Sequence, residues 1–460
     1  DIHLEQFMMS YRTVDDFQDF IRLVRLDATI LESVVSFKTI ACFAPQLEGN
    51  SLRADVSGSM SGTVEDFTVS NVQFSSLDGG FSGILNGRMT GIPETYDMWI
   101  DAKVSNLRLT TTGLSRFVTQ WMRGGTLDLS KFAHNTLFYG RATARGNLNN
   151  LNTAVSLSSK DGNLKAEARL DEIIRPDSPI TISGAISTED LNIGRIINSD
   201  LAGPATARAR MALTIDDGIS VDMDTLKVDR LNLKGYDYRD ILAKGSYTPL
   251  ALNATVISKD PNLNFIFQGG YAKSEKSQNT VFKINASVGH ADLNAINIDT
   301  RGKSIIQLRT NADFTKTAKG DLLGRIDIGE IMMENKSGRY DLGDIVMTSY
   351  STDDRYTVRL KSKFANGSYM GSASIVDFIK DTKGITIDRE LPALSNGKEF
   401  TWKGNSYEAE LVCNDIQNLL SFAAPGLYIE NGTSVRAKVS QDGDFKATLK
   451  SNRLAIRHNY

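Results

Sequence analysis

Few residues of this sequence have the types and spacing that catalysis requires. The tripeptide Gly302-Lys303-Ser304 matches the end of a phosphate-binding P-loop, but Asn297 stands where that loop needs its first glycine. A strand pattern also follows Ser304, whereas a P-loop leads into a helix. The sequence contains no G-x-S-x-G motif, which would place a nucleophilic serine on a sharp turn. We therefore expect no catalytic residues and a protein that is not an enzyme.

The sequence also offers no arrangement of metal ligands. Zinc sites need closely spaced His or Cys residues, and calcium loops need acidic residues at fixed positions. The histidines are far apart in the sequence: His3, His134, His290 and His458. A cluster of four aspartates lacks the spacing of a calcium-binding loop and is typical of a solvent-exposed strand and turn. These residues are Asp216, Asp217, Asp222 and Asp224. We predict neither a metal site nor a cofactor.

The charge balance argues against nucleic acid as a partner. The 460 residues include 52 Lys and Arg against 55 Asp and Glu, and no basic stripe is present to neutralise phosphates. Cys42 and Cys413 are the only cysteines, which is too few for a disulfide framework. Because each lies beside apolar residues, we expect both to be buried free thiols.

The sequence has no run of about 18 apolar residues, so we expect no membrane-spanning helix. The chain begins at Asp1, without a methionine, a charged leader or an apolar signal segment. We therefore expect a processed product or a segment excised from a longer protein.

The elements begin with one helix. Phe17, Phe20, Ile21 and Val24 fall at helical spacing, and Thr13 or Asp15 can cap this segment. We expect the helix to end by Asp27 and a strand to follow over Thr29–Phe37.

From there onward apolar and polar residues alternate, which is the pattern of a strand with one wet face. This alternation indicates antiparallel sheet, because parallel strands buried on both faces read as continuous apolar runs. An open sheet of more than about ten strands must curl or split. The fold class that we predict is mostly β, a long curled antiparallel sheet forming a groove, with short helices between modules. The side chains expected to line this groove are Leu164, Ala166, Phe282, Ile284, Ile326, Ile328, Tyr356, Val358 and Leu360.

Pairs of Asn or Asp followed by Gly favour the positive φ of hairpin turns, so they predict where strands reverse. Eight such pairs are present: Asp78-Gly79, Asn86-Gly87, Asp161-Gly162, Asp217-Gly218, Asn366-Gly367, Asn396-Gly397, Asn431-Gly432 and Asp442-Gly443.

One stretch returns near the other end of the chain. Phe37–Gly62 and Gln417–Gly443 each contain a short apolar helix pattern stopped by proline, then a polar connector and a strand. Further short apolar segments follow Asx residues, and we expect a short helix after each, since an Asx residue is an ordinary N-cap. The four Asx residues, each with the apolar residue that follows it, are Asn106-Leu107, Asp190-Leu191, Asp292-Leu293 and Asp415-Ile416.

The length requires several domains or an array, because a single core stops growing at roughly 250–300 residues. No clean linker divides the sequence, so we predict one elongated array over residues 1–460. Its modules are 1–118, 119–197, 198–298, 299–422 and 423–460.

The order of these features resembles the AsmA-like superfamily, and within it the TamB-type translocation and assembly module family of Bacteroidetes. The segments that carry the resemblance are Phe37–Leu47, Leu52–Phe74, Ser187–Ile197, Val288–Ile298 and Arg339–Ile375. These segments contain no catalytic motif, but the order in which they follow one another is distinctive. Together they span most of the chain. The family's N-terminal membrane anchor and C-terminal domain are missing, so the chain resembles a middle segment.

The resemblance implies a periplasmic β-groove that carries phospholipid acyl chains between the inner and outer membranes of a Gram-negative envelope. It also implies help with outer-membrane protein assembly beside an outer-membrane barrel partner, and attachment to the inner membrane through the anchor. The family has no catalytic signature, so the resemblance assigns no residue a chemical role.

Two alternatives remain open. In the first, the apolar strand faces form an ordinary filled core and the protein is a structural or scaffolding β protein of the envelope. In the second, the protein is a carbohydrate-active β-solenoid enzyme, which needs stacked carboxylates and aromatics on one face. The tryptophans are too scattered for this second alternative: Trp99, Trp121 and Trp402.

Overall fold

The computed structural model describes residues 3–36, 38, 52–92, 94, 98–121, 136–173, 178–352, 355–385 and 401–456. The proline-stopped element at Pro45 lies outside these ranges, as do Cys42, His134, His458 and the pair Asn396-Gly397. The chain divides into two compact units, Asp1–Lys244 and Gly245–Tyr460.

Strands dominate the first unit. They are β1 (Leu4–Ser10), β2 (Arg25–Ser36), β3 (Arg53–Gly62), β4 (Asp66–Ser76), β5 (Phe81–Thr90), β6 (Trp99–Thr110), β7 (Leu137–Asn147), β8 (Asn150–Ser159), β9 (Gly162–Asp171), β10 (Ile180–Asn192), β11 (Ala202–Ile215) and β12 (Ile219–Leu233). Each pairs antiparallel with the next strand in sequence. A further strand, β13 (Tyr236–Thr248), runs across the boundary between the units.

The second unit is also built from strands. They are β14 (Ala251–Asp260), β15 (Leu263–Lys273), β16 (Thr280–Asp292), β17 (Ser304–Lys316), β18 (Leu322–Asn335), β19 (Gly338–Thr352), β20 (Arg355–Ser362), β21 (Ala365–Gly371), β22 (Tyr407–Cys413), β23 (Leu427–Ile429), β24 (Ser434–Val439), β25 (Phe445–Lys450) and β26 (Leu454–Ile456). From β14 to β22 each strand pairs antiparallel with the next, and β24 and β25 then continue from β22. The two short strands β23 and β26 form a separate pair.

Twenty-four of the described strands belong to one antiparallel sheet. Strand makes up 67% of the structure and helix 10%, which confirms the predicted mostly-β fold class. Within the described residues, the outermost strands β1 and β25 each pair with a single neighbour. The sheet is therefore not closed on itself, as expected for a long groove.

The helices are short. A 3-10 helix (Val14–Asp19) leads into α1 (Phe20–Leu23), and the others are α2 (Thr111–Trp121), α3 (Ile193–Ile197), α4 (Ile375–Lys383) and α5 (Gln417–Ala423). No helix in the described part of the chain combines the length and the hydropathy that crossing a bilayer requires.

The first helical segment confirms the sequence prediction. It begins after Thr13, whose backbone N–H donates to the Asp16 carboxylate at 3.1 Å. Its last residue is Leu23, and β2 then covers most of the predicted strand.

Five of the predicted turns lie between paired or successive strands: Asp78-Gly79, Asp161-Gly162, Asp217-Gly218, Asn431-Gly432 and Asp442-Gly443. The pairs Asn86-Gly87 and Asn366-Gly367 lie inside β5 and β21, so these two predictions are wrong.

Both exceptions have a physical reason. Asn86 Oδ1 accepts the backbone N–H of Asn71 on the neighbouring strand at 2.9 Å, and Gly87 lies against the backbone of Asp101 and Ala102. In the other case the chain reverses just before the pair, where Ser362 Oγ accepts the backbone N–H of Ala365 at 2.9 Å. Asn86 and Gly87 therefore contact neighbouring strands, and Asn366-Gly367 follows a turn that other residues form.

Two of the four Asx residues predicted to cap helices lie in β-bulges instead. Asn106 in β6 and Asp190 in β10 have positive φ values of 50° and 49°, and the pairing register shifts at both positions. The next residues, Leu107 and Leu191, belong to one apolar cluster. A bulge re-aims the following side chain, so here the Asx residue turns a leucine toward the interior.

The other two of these Asx residues, Asp292 and Asp415, do not lie in bulges. The Asp292 carboxylate accepts the backbone N–H groups of Asn294 and Ala295 at 3.1 and 3.0 Å, which closes a turn where we predicted a helix. Asp415 precedes α5, as predicted. Helices α2 and α3 follow the two bulged strands, so three of the four expected helices are present.

Candidate functional site

The strand register places the apolar side chains of the second unit on one face. Directly opposed residues on antiparallel strands point to the same side of the sheet. One continuous row crosses nine strands from β16 to β25: Ile284, Ala312, Ile326, Met347, Leu360, Gly367, Leu411, Val435 and Leu449. We call this surface the apolar face.

The predicted lining residues of this unit all lie on the apolar face. Ile284, Ile326 and Leu360 belong to the row itself, and Ile328 lies two residues beyond Ile326 along β18. A parallel row contains the ring of Phe282, which stacks on Phe314 with centroids 4.9 Å apart. Tyr356 and Val358 lie on the same side of β20, opposite Gly371 and Tyr369.

Most of these side chains are half-buried. Phe282, Ile284, Ile326, Ile328, Tyr356 and Leu360 are neither fully buried nor fully exposed. Toward β25 the row becomes more open, because Leu411, Val435 and Leu449 are 37%, 39% and 57% exposed. The apolar face therefore leaves hydrocarbon surface accessible along much of its length.

One end of the apolar face is filled from within. Val358 is only 7% exposed, and it belongs to a cluster with Tyr369, Tyr407 and Val439. Tyr356 packs against this cluster, which α4 helps to cover through Phe378. At Val358 the prediction of an open groove lining is therefore replaced by a packed contact.

The first unit has the same arrangement. A row from β5 to β12 joins Leu85, Val104, Ala142, Val155, Ala166, Ile186, Ala209 and Leu226. The predicted residue Ala166 is half-buried in this row, beside Ile186, which is 37% exposed. The predicted residue Leu164 packs instead against the buried cluster of Phe138, Leu157 and Leu191.

The opposite face of the sheet is charged. In the second unit Lys283 lies 4.0 Å from Asp313 and Arg436 lies 2.7 Å from Glu410, across neighbouring strands. In the first unit Arg88 hydrogen-bonds Asp66 and thereby holds the pKa of that carboxyl below its usual range. The polar face also has a shallow depression of 420 Å³ lined by Arg145, Glu167 and Arg169, among others. Each sheet segment thus separates a wet face from an apolar one.

The residues examined for other chemistry are dispersed. Gly302 lies in a turn before β17, and Lys303 pairs with Glu334. Cys413 is a buried free thiol, as expected, and burial raises its pKa. Among the residues that the structure describes, no group of three or more His, Cys, Asp or Glu side chains could hold a metal ion.

Sequence reasoning missed the rows that connect the predicted residues. Ala312 and Met347 stand between Ile284 and Leu360 on the apolar face, but neither is a conspicuous part of its strand pattern. The register is needed to find them. Sequence reasoning also missed α4, although the capping residue Ser374 and the apolar residues Ile375 and Phe378 form a recognisable helix start.

Comparisons with models of protein families, with curated proteins and with solved structures find no match for this chain.

Proposed function

We propose that this chain binds phospholipid acyl chains along its apolar face and conducts them between the inner and outer membranes of a Gram-negative envelope. The observation that supports this is the unbroken row from Ile284 to Leu449, which is half-buried as far as Leu360 except at the buried Ala312 and is exposed at Leu411, Val435 and Leu449. The side chains of this row carry no polar group that could select a soluble substrate, whereas they suit hydrocarbon. Burial of each methylene contributes about 0.8 kcal/mol, so contact with about eight of them contributes roughly 6 kcal/mol.

The resemblance to the AsmA-like superfamily supports the setting of this proposal. On that basis the chain works in the periplasm, with attachment to the inner membrane and with an outer-membrane barrel protein as its partner. A contribution to outer-membrane protein assembly belongs to the same proposal.

A second candidate function is a structural envelope protein whose apolar face is closed by its own side chains. The packed clusters around Tyr407 and around Phe138 favour it. The open row at Leu411, Val435 and Leu449 favours lipid binding instead.

Neighbouring residues on one strand provide the test. Ile284 lies on the apolar face of β16 and Lys283 is exposed on the opposite face, so the two positions share the same depth along the strand. A photoreactive side chain at position 284 should capture phospholipid in cells, and one at position 283 should not. The pair Leu360 and Arg359 on β20 repeats the comparison. Equal capture on both faces, or capture on neither, would contradict lipid conduction and favour the structural protein.

A further inference from the structure

Helix α4 lies on the apolar face at β21 and β22. Its Phe378 ring lies 5.5 Å from the rings of both Tyr369 and Tyr407, measured between centroids. Ile385, just after the helix, is fully buried in the same cluster. The helix therefore covers strand surface that is continuous, through the register, with the open row at Leu411 and Val435.

The outward side of α4 carries both apolar and basic residues. Ile379 is 62% exposed, and Lys380 and Lys383 are exposed on the same side of the helix. Toward the sheet α4 presents Ile375 and Phe378 instead, so the side of the helix that suits hydrocarbon is the one that packs on the strands.

Three polar contacts at α4 come from neutral donors. The buried Asp381 carboxylate accepts hydrogen bonds from the Tyr407 hydroxyl and from Asn405 Nδ2. The Tyr369 hydroxyl donates to the carbonyl of Ala373 just before the helix. A carboxylate buried against apolar surface loses hydration, which neutral donors restore only in part. These buried polar contacts therefore stabilise the packing of α4 less than apolar contacts of the same area would.

We propose that the strand surface beneath α4 is a latent acyl-chain site, and that a fatty acyl chain and α4 compete for it. This inference rests on the proposed function. It adds that helix α4 occupies part of the lipid-binding surface and that the lipid displaces it. The occupant is hydrocarbon of the same kind as the ligand, because Phe378 and Ile375 are the helix side chains in the cluster. Lipid reaching β20 along the open row would then lift α4 and uncover the strand surface around Tyr369, Tyr407 and Val439.

Hydrogen–deuterium exchange on the full chain tests this, with a long-chain fatty acid as the probe. When the fatty acid saturates the protein, deuterium uptake in residues 375–383 should rise by about twofold or more, because a displaced helix loses its amide protection. Uptake in β16–β18 should fall at the same time, since acyl chains then cover those strands.

Two variants on the helix provide a matched comparison. Phe378→Ala removes a contact with the strands, and Ile379→Ala removes an exposed side chain one residue later. F378A should bind the fatty acid with higher apparent affinity, because the competing helix is weakened. I379A should leave the affinity within about twofold of the wild-type value.

The outcomes separate the inference from the proposed function. Protection of β16–β18 with unchanged uptake in residues 375–383 would overturn the latent site and leave lipid binding in place. Absence of protection in β16–β18 would contradict lipid binding itself, and the latent site would fall with it. The wild-type measurement decides between these even if F378A does not fold.

Discussion

Tyr369 and Tyr407 show what burial does to single residues on the apolar face. Burial raises the pKa of both hydroxyls, and the hydrogen bond to Asp381 raises that of Tyr407 further. An ionisable acid with a raised pKa in the folded state contributes stability that is fully present below its unfolded pKa. That stability is lost as the pH rises.

We therefore expect the free energy of unfolding to fall as the pH rises above about 10, where tyrosine ionises in the unfolded chain. Tyr407→Phe should make this fall smaller, because the substituted side chain cannot ionise. Urea unfolding at a series of pH values between about 8 and 11 measures it. Tyr350→Phe is the control, since that ring is 42% exposed. An identical alkaline loss in Y407F and the wild type would contradict the assignment.

Gly87 illustrates a residue whose role depends on its neighbours. A Cβ atom there would lie 2.8 Å from the carbonyl oxygen of Asp101 and 3.1 Å from Ala102 Cα, both backbone atoms. Local sequence reads Asn86-Gly87 as a turn, because nothing within β5 reveals how closely β6 approaches. The turn at Asp78-Gly79 was predictable, since its geometry is local: Gly79 has a φ of 70° and the Gly80 N–H donates to Asp78.

Gly87→Ala should reduce the free energy of unfolding by about 1–3 kcal/mol, because β5 and β6 must separate to admit the methyl group. Gly289→Ala is the matched substitution in another strand, where the nearest atom to a new Cβ is 3.6 Å away. That variant should be neutral or slightly more stable, since alanine restricts the unfolded chain. Equal losses in the two variants would mean that close strand approach is not the cause.

The bulged strands set the geometry of whole elements. Asn71, Asn106, Asp190 and Glu330 each combine a positive φ with a nearby register shift. At three of them a side chain on the next strand in sequence accepts the bulge residue's N–H: Asn86, Thr206 and Asp344. At Asn106-Leu107 and Asp190-Leu191 the Asx residue therefore does mark a break in the regular strand, but the break is a bulge and not the start of a helix. The sequence alone does not separate a cap from a bulge, because both use an Asx residue outside the regular conformation.

Substitutions at Asn106 test the bulge in β6. Asn106→Gly keeps the left-handed conformation accessible and should leave the urea midpoint close to that of the wild type. Asn106→Val places a β-branched residue at a φ of 50°, which should lower stability by roughly 1–2 kcal/mol. Leu107 would then lose its position against the cluster around Phe138. If both variants unfold at the same urea concentration, the left-handed conformation is not what stabilises this strand.

At the scale of the whole molecule, the strand pattern was predictable because alternation is local and repeated in every strand. Phe282, Ile284, Ile326 and Leu360 lie on one face of the sheet for this reason. The coverage of Val358 by α4 was not predictable, because it depends on contacts such as Asp381 with Tyr407, which lie 26 residues apart. Alternation identifies a face, but only tertiary contacts reveal which part of it is filled.

The continuity of the apolar face within each unit predicts how lipid binding is distributed. If acyl chains lie along rows of side chains, no single residue controls binding. Ile284→Asp in the second unit and Ala166→Asp in the first should then each remove only part of the bound acyl chains. The double variant should remove about the sum of the two losses, because the two residues share no partner in the strand register and substitutions without shared partners act additively.

Native mass spectrometry of the full chain with a long-chain fatty acid counts the bound acyl chains in each variant. The adjacent exposed residues provide controls on the opposite face: Lys283→Asp and Lys165→Asp add the same carboxylate one residue away and should leave the number of bound chains unchanged. Complete loss of binding in either single apolar-face variant would point to one localised pocket. In that case the row from Ile284 to Leu449 would be structural surface, and the distributed binding proposed for it would be wrong.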